Sequence, residues 1–210
     1  MLQLNQATNK PGDLLLFENL FPICYLAGLI VGSFIRAWYV RKYKQDRQAI
    51  FREEGFVAGI LASLWGVSIL LPPLYIFTRW FNFADFTIPT WIGWVGVVTF
   101  TFALWLLWRS HADLGRNWRV TTEIAEGHKL VTSGVFRYIR HPMYSAHFLW
   151  GIAQALLINN WIAGLASLVV MLPMYLLRVR REEQMMLEQF GEEYRLYMKR
   201  TGRIIPRLSR

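Results

Sequence analysis

Two stretches of this 210-residue chain are dense in side chains that bind ligands. The first runs from His111 to His147 and holds Asn117-Trp118, Glu126-Gly127-His128-Lys129-Leu130-Val131, Gly134-Val135-Phe136 and Arg140-His141-Pro142-Met143-Tyr144. The second, Arg178 to Tyr197, is charged and helix-favouring and is interrupted by Phe190-Gly191. Proline suits the first turn of a helix, where its missing N–H is not needed, so a helix start is expected at Pro142 or Met143. The free N–H groups of that turn, with His141 beside them, offer donors and a partial positive charge to a carboxylate or hydroxyl oxygen. The competing reading makes Arg140 and His141 interfacial anchors. Arg178 and Glu182 lie four apart and share a helix face, either as an intrahelical ion pair or as part of a site.

Other chemistries fit less well. His141 and His147 are six apart, which is poor spacing for one helix face, and the single cysteine, Cys24, is remote from both stretches, so no metal is expected. The lone thiol also leaves no internal disulfide. Gly-x-Gly is absent, which excludes a Rossmann nucleotide fold. No serine or cysteine nucleophile has a convincing base beside it.

The elements that must position these residues are apolar. Hydrophobic residues make up 54% of the chain and charged ones 18%, a profile unusual for a water-soluble globule. A bilayer core about 30 Å thick needs about 20 apolar helical residues. Four runs qualify: Leu20 to Tyr39, interrupted by Arg36; Phe56 to Phe77; Ile88 to Trp108; and Trp161 to Val179. A fifth, Met143 to Ile158, extends roughly 24 Å and is joined to its successor only by Asn159 and Asn160. Two helices linked so tightly form an antiparallel hairpin. The expected fold is therefore an all-α integral membrane protein of five transmembrane helices, the last two a short hairpin. Residues 1–19 form an N-terminal segment, 20–108 three spans, and 109–210 the region with helices four and five. Gly28 with Gly32, and Gly55 with Gly59, are expected to let helices approach closely. Pro72, Pro73 and Pro173 are expected to kink their helices. His147 and Gln154 must face protein or a polar cavity.

Basic residues orient the layout. Five follow span one (Arg41 to Arg52), six follow span three (Arg109 to Arg140) and nine lie from Arg178 onward, placing 20 of the 23 on one side. That side is expected to be cytosolic, with the N-terminus outside. The charge has a topological explanation, so nucleic acid is not an expected partner. Met1 to Asp13 is polar and span one is too long for a cleaved apolar region, so no signal peptide is expected.

In order and spacing, these residues resemble the isoprenylcysteine carboxyl methyltransferase family, membrane enzymes that methylate the terminal carboxylate of prenylated proteins. The carriers are Gly127 to Phe136, Arg140 to Tyr144, Arg181-Glu182-Glu183, Phe190 to Tyr194 and a closing Arg203-Ile204-Ile205-Pro206, within Asn117 to Pro206. The first three spans carry no matching motif. The resemblance implies S-adenosylmethionine as cofactor, bound in a cytosolic pocket made by the loop before helix four and the C-terminal helices. It assigns His128, Lys129, Leu130 and Val131 to wrapping the cofactor through backbone groups, and His141, Pro142, Met143, Tyr144 and Glu182 to contacting it. Phe136 stands where the family often has tyrosine; its ring can pack there but donates no hydrogen bond. Glu123 is a further polar candidate. Arg178 matches the family's substrate-handling arginine.

The residues agree with that chemistry. A carboxylate is already ionised at neutral pH, so no general base, triad or metal is needed. What must be supplied is alignment with the methyl group and exclusion of water. The expected partners are a lipophilic, prenylated substrate entering from the bilayer through a lateral opening lined by spans two to five, and membrane lipids; the expected location is a prokaryotic cytoplasmic membrane or the endoplasmic reticulum. One rival is a phospholipid or other lipid-amine N-methyltransferase, which would need a base such as His141 or Glu183. Another is a membrane binding or scaffold protein without turnover.

Overall fold

The computed structural model describes residues 11–43, 49–52, 56–78, 80–117, 123–125 and 129–207, with side chains for 20–43, 59–78, 80–117 and 129–207. Five long helices carry it: α1 (Pro11–Lys42), α2 (Phe56–Thr78), α3 (Thr90–Leu114), α4 (Pro142–Leu157) and α5 (Trp161–Arg200). Four contain segments long and apolar enough to cross a membrane: Leu20–Lys42, Gly59–Thr78, Thr90–Asn117 and Trp161–Arg200. The 16-residue α4 falls short of that length. Its small and polar residues Ser145, Ala146, Gly151, Ala153 and Gln154 are buried, because it is enclosed by α3 and α5. The 40 residues of α5 would extend about 60 Å, twice an apolar bilayer core. Its apolar part ends at Val179, so the charged half from Arg180 runs on beyond the membrane.

The all-helical expectation needs one amendment. Ala49–Arg52 (β1) and Glu123–Ala125 (β2) pair antiparallel, joining the connection after α1 to the one after α3. Loops leaving those helices run side by side at one end of the bundle. At the other end, Asn160 in the α4–α5 turn is fully buried. Its Nδ2 donates to the Phe81 carbonyl at 2.6 Å and to Asp85 Oδ1 at 2.7 Å, while its Oδ1 accepts from the N–H groups of Ile162 and Ala163, capping α5. Alternate connections thus share an end, as the distribution of basic residues requires.

Close approach depends on particular glycines. A Cβ on Gly28 would collide with the ring of Phe100, and one on Gly32 with Trp150, so this pair seats α1 against α3 and α4. Of the second expected pair, Gly59 has open space beside it and Gly55 lies outside the described residues. Pro72 and Pro73 lie inside α2 and Pro173 inside α5. The backbone of α5 leaves helical geometry at Gly191, whose φ of 52° is in the left-handed region, matching the interruption at Phe190-Gly191.

Mid-bundle, Gln154 is buried and fully engaged, as its place in an apolar helix demands. Its Oε1 accepts from Tyr25 at 2.9 Å and Ser167 at 2.6 Å; its Nε2 donates to the carbonyls of Ser68 and Ala163. One side chain therefore joins α1, α2, α4 and α5. Around it pack Phe21, Phe100, Trp150 and Leu157.

Candidate functional site

Helix α4 starts at Pro142, in its first turn, as expected, with His141 as the residue before it. Two strands of chain meet there. The backbone N–H groups of Arg140 and His141 donate to the carbonyls of Gly202 and Arg203, and the N–H of Gly202 donates to Tyr138. The tail after α5 is thereby laid along the segment before α4. Ser145 Oγ, donating to the Ile204 carbonyl at 2.6 Å, extends the seam.

Glu183 is the hub of this junction. Its Oε1 accepts from Arg140 Nε at 2.7 Å and Arg203 Nε at 3.0 Å, and its Oε2 from Arg203 Nη2 at 2.5 Å. His141 Nε2 lies 3.2 Å from Oε1. Burial alone would push this carboxyl's pKa up, but the hydrogen bonds from His141, Arg140 and Arg203 outweigh it and hold it down at about 2. Reciprocally, the bonds to Glu183 raise the affinity of Arg203 for its proton. Arg140 spends its remaining reach on the Thr201 carbonyl.

Above this junction lies a cavity of about 550 Å³, within the roughly 300–1,000 Å³ of small-molecule sites. Lys129, Leu130, Val131, Phe136, His141, Pro142, Met143, Tyr144, Arg178 and Glu182 all line it, so the two ligand-rich stretches meet on one wall. His128 lies outside the described residues, and for Glu123 the backbone alone is described. Tyr144 donates to Glu182 Oε1 at 2.6 Å, and His141 Nδ1 lies 3.6 Å from its Oε2. Arg178 Nε is 3.9 Å from Glu182 Oε1, so the sequence pair is a loose contact at the cavity wall.

The segment before α4 is held from below. Gly134 has φ of 61°, and a Cβ there would strike the Asp113 carboxylate, which accepts the Val135 N–H at 2.9 Å. Glycine in the Ser133-Gly134-Val135-Phe136 run is thus a packing and backbone requirement. Phe136 is buried, and its carbonyl accepts from Tyr197 at 2.6 Å. Asn117 Oδ1 accepts from the Lys129 N–H at 3.3 Å, fastening the loop to the end of α3.

The cavity also has walls that sequence reading did not assign. Arg36 and Leu29 of α1, Trp65 and Ile69 of α2, His111 of α3, His147 of α4 and Met174 of α5 line it. Arg36 had a visible signal, a charge inside an apolar run. His147 was expected to face protein or a polar cavity and lines this one; the others are apolar or neutral residues in spans, with nothing to distinguish them from packing.

Comparison with known proteins bears out the family resemblance. The model of the isoprenylcysteine carboxyl methyltransferase family matches residues 94–188. The human protein-S-isoprenylcysteine O-methyltransferase is 32% identical over 119 residues, which is 56% of this chain and 42% of the human one. The Dictyostelium discoideum protein of the same name is 25% identical over 185 residues, 87% of this chain and 76% of that protein, so similarity extends into the first spans, where no motif was legible. The chain spans 42% and 37% of the human and Schizosaccharomyces pombe relatives it matches. A solved structure of the eukaryotic intramembrane Ras methyltransferase of this family superposes with a TM-score of 0.50 at 25% identity, over 73% of this chain and 53% of that one.

Proposed function

We propose that this chain is a membrane-embedded methyltransferase that moves the methyl group of S-adenosylmethionine to a lipophilic carboxylic acid, most simply the α-carboxylate of an S-prenylated cysteine. The observation that carries this reading is the single cavity in which the loop at 129–131, the start of α4 and the Arg178–Glu182 face of α5 meet.

The residues suit the cofactor. The wall combines backbone from 129–131, the aromatic rings of Phe136 and Tyr144, and a carboxylate, Glu182, whose orientation Tyr144 fixes. These would hold a molecule with both an apolar heterocycle and cationic groups. When bound, the cofactor supplies an electrophilic methyl group on a cationic sulfur. The protein's part is to orient the acceptor and exclude water. Arg178 holds the carboxylate through its fork of donors. Attack of an anion on a cation disperses charge at the transition state, so Arg178 contributes by aiming the oxygen; very tight pairing would raise the barrier.

The lipid tail has a route. Helices α1 and α2 make few direct contacts, yet Leu29 on one and Ala62, Trp65 and Ile69 on the other line the cavity. Gly59 and Gly66 of α2 have nothing within 4 Å. The lateral opening therefore involves α1 as well as spans two to five, and α4 enters the bilayer as the short arm of the hairpin, giving five spans. The site faces the cytosol, on the side rich in Lys and Arg.

The lipid-amine alternative loses support from the same geometry. It requires a base, and Glu183 is tied to Arg140 and Arg203 with its pKa held low, which makes it a weak one and leaves His141 as the remaining candidate. Purified protein given labelled S-adenosylmethionine should label farnesylcysteine analogues, with a rate flat in pH through neutrality. Label entering phospholipid amines instead, at a rate rising with pH, would reverse the choice, and no transfer to either would leave a binding protein.

A further inference from the structure

One charge in the cavity has no task in the scheme above. Arg36 lies within the span Leu20–Lys42, six residues or about 9 Å from its end. It shares a helix face with Leu29, Gly32 and Ser33, and all four line the cavity. Among the described residues it has no hydrogen-bond partner and no counter-ion. Arg178 lines the same cavity and brings a second guanidinium charge to it. An arginine within a span costs several kcal/mol unless it is solvated or paired, so such residues mark sites more often than they serve packing.

Position along α1 gives the polarity of the binding mode. From Leu29 to Arg36 the wall changes from apolar to cationic over about 10 Å. Ala62, Trp65 and Ile69 of α2 add apolar lining to the same cavity, and Arg178 of α5 adds a cation. A ligand satisfying both ends has an apolar tail and an anionic head. Glu182, the carboxylate of this wall, is engaged by Tyr144 and lies beside Arg178. Arg36 itself has no acid beside it among the described residues.

We propose that Arg36 is a second binding residue for the acceptor's carboxylate, pairing with Arg178 so that the head of an anionic amphiphile bridges α1 and α5. This rests on the methyltransferase reading and deepens it, because it adds discrimination between substrate and product. The free acid engages two guanidinium groups. Its methyl ester carries no charge and engages neither as an ion pair, so esterification itself loosens the product.

The test compares binding of N-acetyl-S-farnesylcysteine with binding of its methyl ester to detergent-purified full chain. S-adenosylhomocysteine affinity serves as the fold control. Wild type should prefer the acid by about tenfold to a hundredfold, the range of hydrogen bonds to charged groups. Arg36→Gln should cut that preference to about threefold or less while ester and S-adenosylhomocysteine affinities stay near wild type. Arg36→Lys retains charge without the planar fork and should hold an intermediate preference, which keeps the question answerable if the glutamine variant fails to fold. An unchanged preference in either variant, no preference in wild type, or loss of S-adenosylhomocysteine affinity in the lysine variant would overturn the assignment. Methyl transfer by wild type is scored separately: transfer with an unchanged preference in Arg36→Gln sinks Arg36 and leaves the enzyme, whereas preference without transfer sinks the enzyme.

Discussion

Two buried polar hubs, Gln154 and Glu183, hold this molecule together in different ways. Gln154 is neutral, sits mid-bundle and spends all its hydrogen-bonding capacity on Tyr25, Ser167, Ser68 and Ala163. Glu183 is charged, lies at the basic end and joins two arginines and a histidine from segments far apart in sequence. A neutral amide can be satisfied inside an apolar bundle at little electrostatic cost, whereas a carboxylate there needs cations that are themselves costly. The first hub therefore clamps spans and leaves no chemistry over. The second anchors the tail and the α4 start; Glu182, next to it in sequence, and its partner His141 both line the cavity. In this protein the polar group nearest the ligand site is supported by a neighbouring group that never needs to move.

That contrast can be broken by substitution. The largest effect is expected for Glu183→Ala, which leaves Arg140 buried without its partner; since Arg203 is half exposed, the loss should be about 2–4 kcal/mol in thermal or denaturant unfolding. A loss under 1 kcal/mol would show that the hub does not anchor the tail. Arg178→Ala should lower turnover about 30- to 100-fold with cofactor affinity within about threefold of wild type, measured by labelled methyl transfer and calorimetry. A parallel fall in cofactor affinity would erase the division of labour between Arg178 and the residues proposed to hold the cofactor. Glu182→Ala should weaken cofactor binding about tenfold and leave unfolding nearly unchanged, the reverse of Glu183→Ala. Gln154→Leu should cost about 1 kcal/mol of stability without altering cofactor affinity, because hydrogen bonds within membrane bundles average about 0.6 kcal/mol and the leucine fills similar volume. The last effect is in pH. The folded-state pKa of Glu183 is depressed from 4.5 to about 2, so its stabilisation is fully present above about 4.5 and is lost as pH falls toward 2. The stability difference between wild type and Glu183→Gln should accordingly be flat from pH 7 to 5 and shrink below; shrinkage already near pH 6 would mean the carboxyl is not held as the geometry requires.

Legibility in the sequence followed the same division. Helix boundaries were readable because length and hydrophobicity are local: Pro142 as a start and Gly191 as an interruption correspond to backbone facts. The two ligand-rich stretches were readable because their residues cluster along the chain. Gly59 has open space where a close approach was expected, since small-residue spacing says an approach is possible and not whether a neighbour comes. The β1–β2 pair escaped because its strands are short and lie more than 70 residues apart.

By itself, the sequence determined the spans, their alternation, the basic end and the residue types that line the cavity, all consequences of local composition and spacing. Tertiary structure alone decided that Glu183 ties Arg140 to Arg203 and that Arg36 of the first helix looks across a cavity at Arg178 of the last. Such pairings depend on which faces of distant helices pack together. That choice is made by the sum of many weak contacts across the bundle, and no single stretch of chain encodes it.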